Sequence, residues 1–265
     1  MGHSMINPQL PRYTPKGGVF GSGPLDLLGS FFMTEALKEP GGVDALVRGM
    51  VRQASQEVDM QVVDDLRNFL FGAGSGGLDL AAVNIQRGRD HGLASYNAYR
   101  VAYGLPSISN FAEAVSEPQA VADLQSLYGV PDNADLWVAG LAETHVPGSS
   151  FGPTFQAIIA DQFTRLRDGD RFWYENVYDA GTIAQLNATR LSDVIERNTT
   201  VGNLPPSVFH VSVDFNEDST LNLDDLSYFV QAYQGQNLRA DLNGDGLLNL
   251  DDINIFVDAF LSVWY

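Results

Sequence analysis

Apolar residues recur at helical spacing along most of this chain. The pattern predicts helices over residues 24–37, 43–54, 60–71, 78–90, 94–102, 117–127 and 151–166. Residues 132–142 add an Asp/Asn start signal ahead of their apolar positions. Strand-like alternation is scarce, so the expected fold class is mainly α. GAGSGG at 72–77 reads as a plain connector ahead of the helix at 78–90.

One stripe breaks the apolar rule. Leu80, Asn84, Arg87 and His91 fall at i, i+4, i+7 and i+11, which is a single helix face. An apolar stripe would mean core and nothing more. A carboxamide, a guanidinium and an imidazole on one face need hydrogen-bonding partners if they are covered.

Composition narrows the class. No run reaches about 18 apolar residues, so no membrane span is expected. The net charge of −18 disfavours nucleic acid and anionic membrane partners, because phosphate contacts need Lys and Arg. The absence of cysteine excludes disulfides and thiolate ligation of a metal. A chain of 265 residues is long enough for one or two domains. The opening residues lack the charged and apolar regions of a signal peptide.

Half of the negative charge lies in the last 60 residues, which hold ten acids and one arginine. The sequence there repeats with a 27-residue spacing. Asp214, Asn216, Asp218, Thr220, Asn222 and Asp225 are followed by Asp241, Asn243, Asp245, Leu247, Asn249 and Asp252. Side-chain oxygens at loop positions 1, 3, 5, 9 and 12, with a backbone carbonyl from position 7, are what a calcium ion requires. Leu226, Phe229 and Val230, like Ile253, Phe256 and Val257, predict an amphipathic helix after each loop. Position 6 is Gly246 in the second loop but Ser219 in the first, which costs about 1 kcal/mol if that turn needs a left-handed residue.

Two family resemblances follow from these residues. The run with Leu78, Asp79, Leu80, Asn84, Gln86, Arg87, Arg89, Asp90, His91, Gly92, Tyr96, Asn97 and Arg100 resembles the animal-type haem peroxidases. Their signature helix reads LDLxxLNxQRxRDHG. A second stretch, LRDGDRFWYEN from Leu166 to Asn176, resembles the same family in the expected order, and the likeness covers roughly residues 2–205.

The resemblance implies haem b as cofactor, with His3 of Gly2-His3-Ser4 and the following Pro8 as its proximal segment. His3 is then the axial ligand, and its second ring nitrogen donates to the Asn84 side-chain oxygen. The competing reading of residues 1–4 is an expression-tag scar. Arg87 is implied to pair with a haem propionate, against a plain ion pair with Asp79, Asp90 or another acid. Arg89 and Asp90 are read as structural pairs, and His91 as a helix-end residue. In the family, the distal His and Arg lie upstream of the proximal histidine. The resemblance therefore implies the C-terminal part of a haem-dependent peroxidase, lacking independent activity. His145 and His210 stand in no distal context.

The acidic repeats resemble a type I dockerin, a calcium-folded module that docks onto a cohesin in secreted bacterial assemblies. Positions 10 and 11 read Leu-Asp (Leu223, Asp224; Leu250, Asp251) where cellulosomal dockerins carry Ser/Thr. The expected organisation is a peroxidase-like domain over 1–205, a linker at 206–212 and the calcium module at 213–265. The implied partners are a cohesin-like protein or the missing distal half of the peroxidase, and the implied location is extracellular or cell-surface. The alternative function is a non-catalytic, calcium-dependent binding protein.

Overall fold

A computed structural model describes residues 2–262 apart from 54, 69–77, 148, 203, 205–207, 209–212, 214, 217–220, 238–239 and 243–246. Two short strands, β1 (Gln9–Leu10) and β2 (Leu25–Asp26), pair antiparallel with Gln9 opposite Asp26. The helices are α1 (Leu27–Ser30), α2 (Glu35–Lys38), α3 (Gly42–Arg52), α4 (Asp64–Arg67), α5 (Leu80–Asp90), α6 (Tyr96–Ala102) and α7 (Pro118–Tyr128). They continue as α8 (Leu136–Ala142), α9 (Pro153–Gly169), α10 (Tyr174–Val177), α11 (Ala180–Ala188), α12 (Leu191–Asn198), α13 (Leu223–Gln234) and α14 (Leu250–Ser262). The fold is mainly α, as the pattern predicts.

Local chemistry explains the helix starts. Asp79 accepts from the Ala82 amide at 3.0 Å and caps α5. Glu117 caps α7 just ahead of Pro118, and Pro153 opens α9. The single helix expected over 24–37 is instead β2, α1 and α2. Phe32 adopts a left-handed backbone at φ 61°, which no helix can pass through. The helix expected over 60–71 is the single turn α4 among the described residues. Helices α11 and α12 had no expectation attached. The connector 72–77 lies outside the described residues, as does the 206–212 linker apart from Val208.

The chain forms two compact units. One comprises residues 1–6 and 57–178. Its core joins Tyr96, Phe111, Leu124, Leu136, Leu141 and Phe155. Inside it lies a buried carboxylate, Glu143, at the end of α8. Its oxygens accept from the Tyr96 hydroxyl, from Arg100 Nη1 at 2.6 Å, and from the Thr154 hydroxyl and amide, the latter at 2.8 Å. Burial, followed by the Glu143 charge, pushes the Tyr96 hydroxyl far above its usual range. Gly152 packs so closely that a Cβ there would overlap the Glu143 side chain.

The other unit comprises residues 7–56 and 179–265. In it, Val213, Phe215, Phe229, Ala240, Leu242 and Phe256 form a core of their own. Phe229 and Phe256, which are repeat equivalents, stack with centroids 4.1 Å apart, and Phe215 meets both edge-on.

Breaking the Glu143 cluster tests its weight. Glu143→Ala leaves Arg100 buried without its counter-charge, and urea denaturation should show a loss of about 3–5 kcal/mol. A loss below about 1 kcal/mol would show that the cluster contributes little.

Candidate functional site

The polar stripe lies on α5, between the Asp79 cap and His91 at the helix end. Its first consequence is a contact over 81 residues of sequence: the Asn84 amide nitrogen lies 2.9 Å from His3 Nδ1. The same nitrogen donates to the Leu80 carbonyl at 2.6 Å. The sequence reading placed the amide oxygen toward the ring. Here the nitrogen faces it, and in that orientation it also reaches the Leu80 carbonyl one turn back. A donor at Nδ1 keeps the ring proton on Nε2. Burial lowers the His3 pKa, favouring the neutral imidazole that metals bind. Nε2 has no hydrogen-bond partner among the described residues.

One turn further on, Arg87 is exposed, and its guanidinium has no hydrogen bond or ion pair among the described residues. The acids proposed as its partners are engaged elsewhere. Asp79 caps the helix, and Asp90 accepts from Gln86 at 2.7 Å. Arg89 points another way and grips Asp135 with two bonds of 3.0 and 2.6 Å. That fork holds the Asp135 carboxyl below its usual range. Burial and Asp135 push the Tyr128 hydroxyl up to about 12.

Beside Arg87 is an open hollow of about 340 Å³ lined by Asn84, Ile85, Arg87, His91, Leu136 and Trp137, among others. A free guanidinium over apolar walls suits an amphipathic anion. The sequence reading missed Leu136 and Trp137. They come from α8, more than 40 residues on, and no local signal ties them to the stripe. His145 is bonded to the Val58 carbonyl at 2.9 Å and stands outside this hollow. His210 lies outside the described residues.

The acidic repeats place their described ligand candidates in matching positions. Asp225 and Asp252 are fully buried at 0% exposure. Asp225 accepts from the amides of Phe215, Asn216 and Asn222 at 2.8, 3.2 and 2.9 Å. Asp252 accepts from Leu242 and Asn249 at 2.8 and 3.0 Å. Asn222 and Asn249 each bond the amide two residues ahead, at 2.6 and 2.7 Å. Asn216, Asp241 and Leu247 are described, whereas Asp214, Asp218, Thr220, Asn243 and Asp245 lie outside the described residues. Among the described residues, no three His, Cys, Asp or Glu side chains gather as a metal set.

Comparison with known proteins identifies relatives of the chain. Residues 1–209 match the animal haem peroxidase family. Peroxinectin A of Dictyostelium discoideum is 40% identical over 210 residues, covering 78% of this chain and 39% of that protein. Thyroid peroxidase of Canis lupus familiaris is 41% identical, covering 80% of this chain and 23% of its own length. Among solved structures, peroxidase A of Dictyostelium discoideum superposes with a TM-score of 0.72 at 40% identity, covering 78% of this chain and 40% of that one. The Oryza sativa fatty acid alpha-dioxygenase, at 23% identity and TM-score 0.62, shares the fold alone. The chain spans about two-fifths or less of the length of these relatives. No helix among the described residues is long and apolar enough to cross a membrane. On the match of residues 1–209 and on these identities, the chain belongs to the animal haem peroxidase family.

Proposed function

We propose that residues 1–205 carry the proximal side of a haem peroxidase site, with His3 as axial ligand, Asn84 as its positioning partner and Arg87 as the propionate partner. The observation that supports this reading most is the His3–Asn84 contact. It brings the two residues together on the same unit with Nε2 free. The donor set fits haem: one neutral imidazole and one guanidinium without a partner among the described residues, next to an apolar-walled hollow.

When bound, haem would supply the redox chemistry of hydrogen peroxide-driven oxidation. The residues of this chain would hold and orient it. An imidazole that gives Nε2 to a metal carries its proton on Nδ1, and that proton needs an acceptor. Asn84 would provide one by turning its amide, exchanging the Leu80 bond for one from Nδ1. Arg87, one helical turn away, would pair with a propionate carboxylate of the group. The distal proton-accepting groups belong, in this reading, to polypeptide beyond this match, whether supplied by the same protein or by a partner.

An absorbance titration with haem tests this. The parent chain should give a saturable Soret band, which His3→Ala should abolish. Asn84→Leu should weaken binding by about 10–100-fold, the usual effect of losing a ligand's orienting partner. Binding indifferent to His3 would sink the assignment.

We also propose that residues 213–265 are a dockerin-like calcium module, preceded by a linker at 206–212. Asp214, Asn216, Asp218, Thr220, Asn222 and Asp225 would serve the first ion. Asp241, Asn243, Asp245, Leu247, Asn249 and Asp252 would serve the second. The repeat equivalence of the buried Asp225 and Asp252 supports this. Such a module fits an extracellular or cell-surface location and a cohesin-like partner. It would also be the working part if the peroxidase-like region were non-catalytic. Calcium at about 100 times its dissociation constant would stabilise the folded module by about 2.7 kcal/mol. EDTA should therefore lower the melting temperature and the helical circular dichroism. A chain whose melting and dichroism ignore EDTA would rule out calcium-driven folding.

A further inference from the structure

Helix α5 ends in a locked turn. Gly92 takes a left-handed backbone at φ 67°, and the Leu93 amide donates back to the Gly88 carbonyl at 3.0 Å. The His91 and Gly92 amides take the carbonyls of Arg87 and Arg89, each at 3.0 Å. Leu93 is thereby folded back against Gly88, where a Cβ would meet Leu93 Cδ1 at 3.4 Å. His91 is held one turn past Arg87 on the same face of the helix.

Arg87 and His91 both line the hollow of about 340 Å³, whose apolar walls include Ile85, Leu93, Leu136 and Trp137. The His91 ring is exposed and has no hydrogen bond or ion pair among the described residues. Asp135 also lines the hollow, but Arg89 holds both its oxygens and the Tyr128 hydroxyl donates to one of them at 2.9 Å. Its charge is therefore answered inside the protein. An imidazole offers an N–H donor in either protonation state. Two open donors one turn apart, beside apolar walls, match an apolar ring system that carries carboxylates along one edge.

We propose that His91 is a second carboxylate donor beside Arg87, so that the hollow takes the dicarboxylate edge of a porphyrin through both side chains. The inference rests on the reading of Arg87 as a propionate partner and extends that site by one residue. His91 then has a ligand to reach, beyond its place at the helix end. Recognition of the carboxylates is also separate from axial ligation, which belongs to His3.

Fluorescence titration of the full chain with metal-free protoporphyrin IX isolates this wall, since without iron His3 has nothing to ligate. The parent should bind the free acid at least about tenfold more tightly than its dimethyl ester. His91→Ala should weaken binding of the free acid about tenfold, the scale of one hydrogen bond to a charged group, and leave the ester unchanged. His91→Gln keeps an N–H donor and should stay within about threefold of the parent. Circular dichroism of each variant reports whether it folds. If Arg87→Gln weakens free-acid binding while His91→Ala does not, His91 is no donor and the Arg87 reading stands. If neither variant changes it, or the parent fails to prefer the free acid, the carboxylate reading of this wall fails and takes the proposal with it.

Discussion

A pair of acids flanking one short helix holds the candidate haem-binding unit together. Asp135 stands at the start of α8 and Glu143 at its end. Each is gripped by an arginine from another helix, Arg89 of α5 and Arg100 of α6. The Glu143 end is buried and also takes Tyr96 of α6 and Thr154 of α9. A buried charge with every oxygen engaged tolerates only one arrangement of its donors. The Asp135 end is more open and contributes less energy, but it fixes direction. Backbone pairing of Ser95 with Asp135 and of Tyr96 with Ala134 ties the start of α6 to the same place.

That clamp matters because it aims α5. With Arg89 bonded to Asp135, that side of the helix is turned toward the start of α8. The stripe of Asn84, Arg87 and His91 then faces the hollow walled by Leu136 and Trp137. Arg87 and Arg89 are two residues apart, so they leave the helix on different sides. One serves the scaffold and the other has no side-chain partner among the described residues. The division of labour between two neighbouring arginines follows from helical geometry and the position of a single carboxylate.

The tail works by a different economy. Its aromatic core is small, and the stacked Phe229 and Phe256 are supported by carboxylates that fasten each loop to its own helix. Buried aspartates accepting two or three backbone amides make the loop and helix one piece. Such a tail concentrates negative charge, with ten acids and one arginine in its last 60 residues.

The sequence by itself determined the helical class, the stripe on α5, the family and the doubled acidic loops. Each of these depends on spacing within a single element, where helical geometry converts sequence separation directly into position. It also supplied the His3–Asn84 pairing, though only through family resemblance; spacing alone could not bring residues 81 apart into contact. Tertiary structure decided the rest. The break of 24–37 into β2, α1 and α2 turned on one left-handed Phe32 that no periodicity marks. The direction of the Asn84 amide depended on a carbonyl competing for its nitrogen. Asp79 and Asp90 were removed as partners of Arg87 by local bonds, and Asp135 was captured by Arg89 across the fold. Which charge stays free depends on which neighbours reach it first, and that is a property of packing in three dimensions.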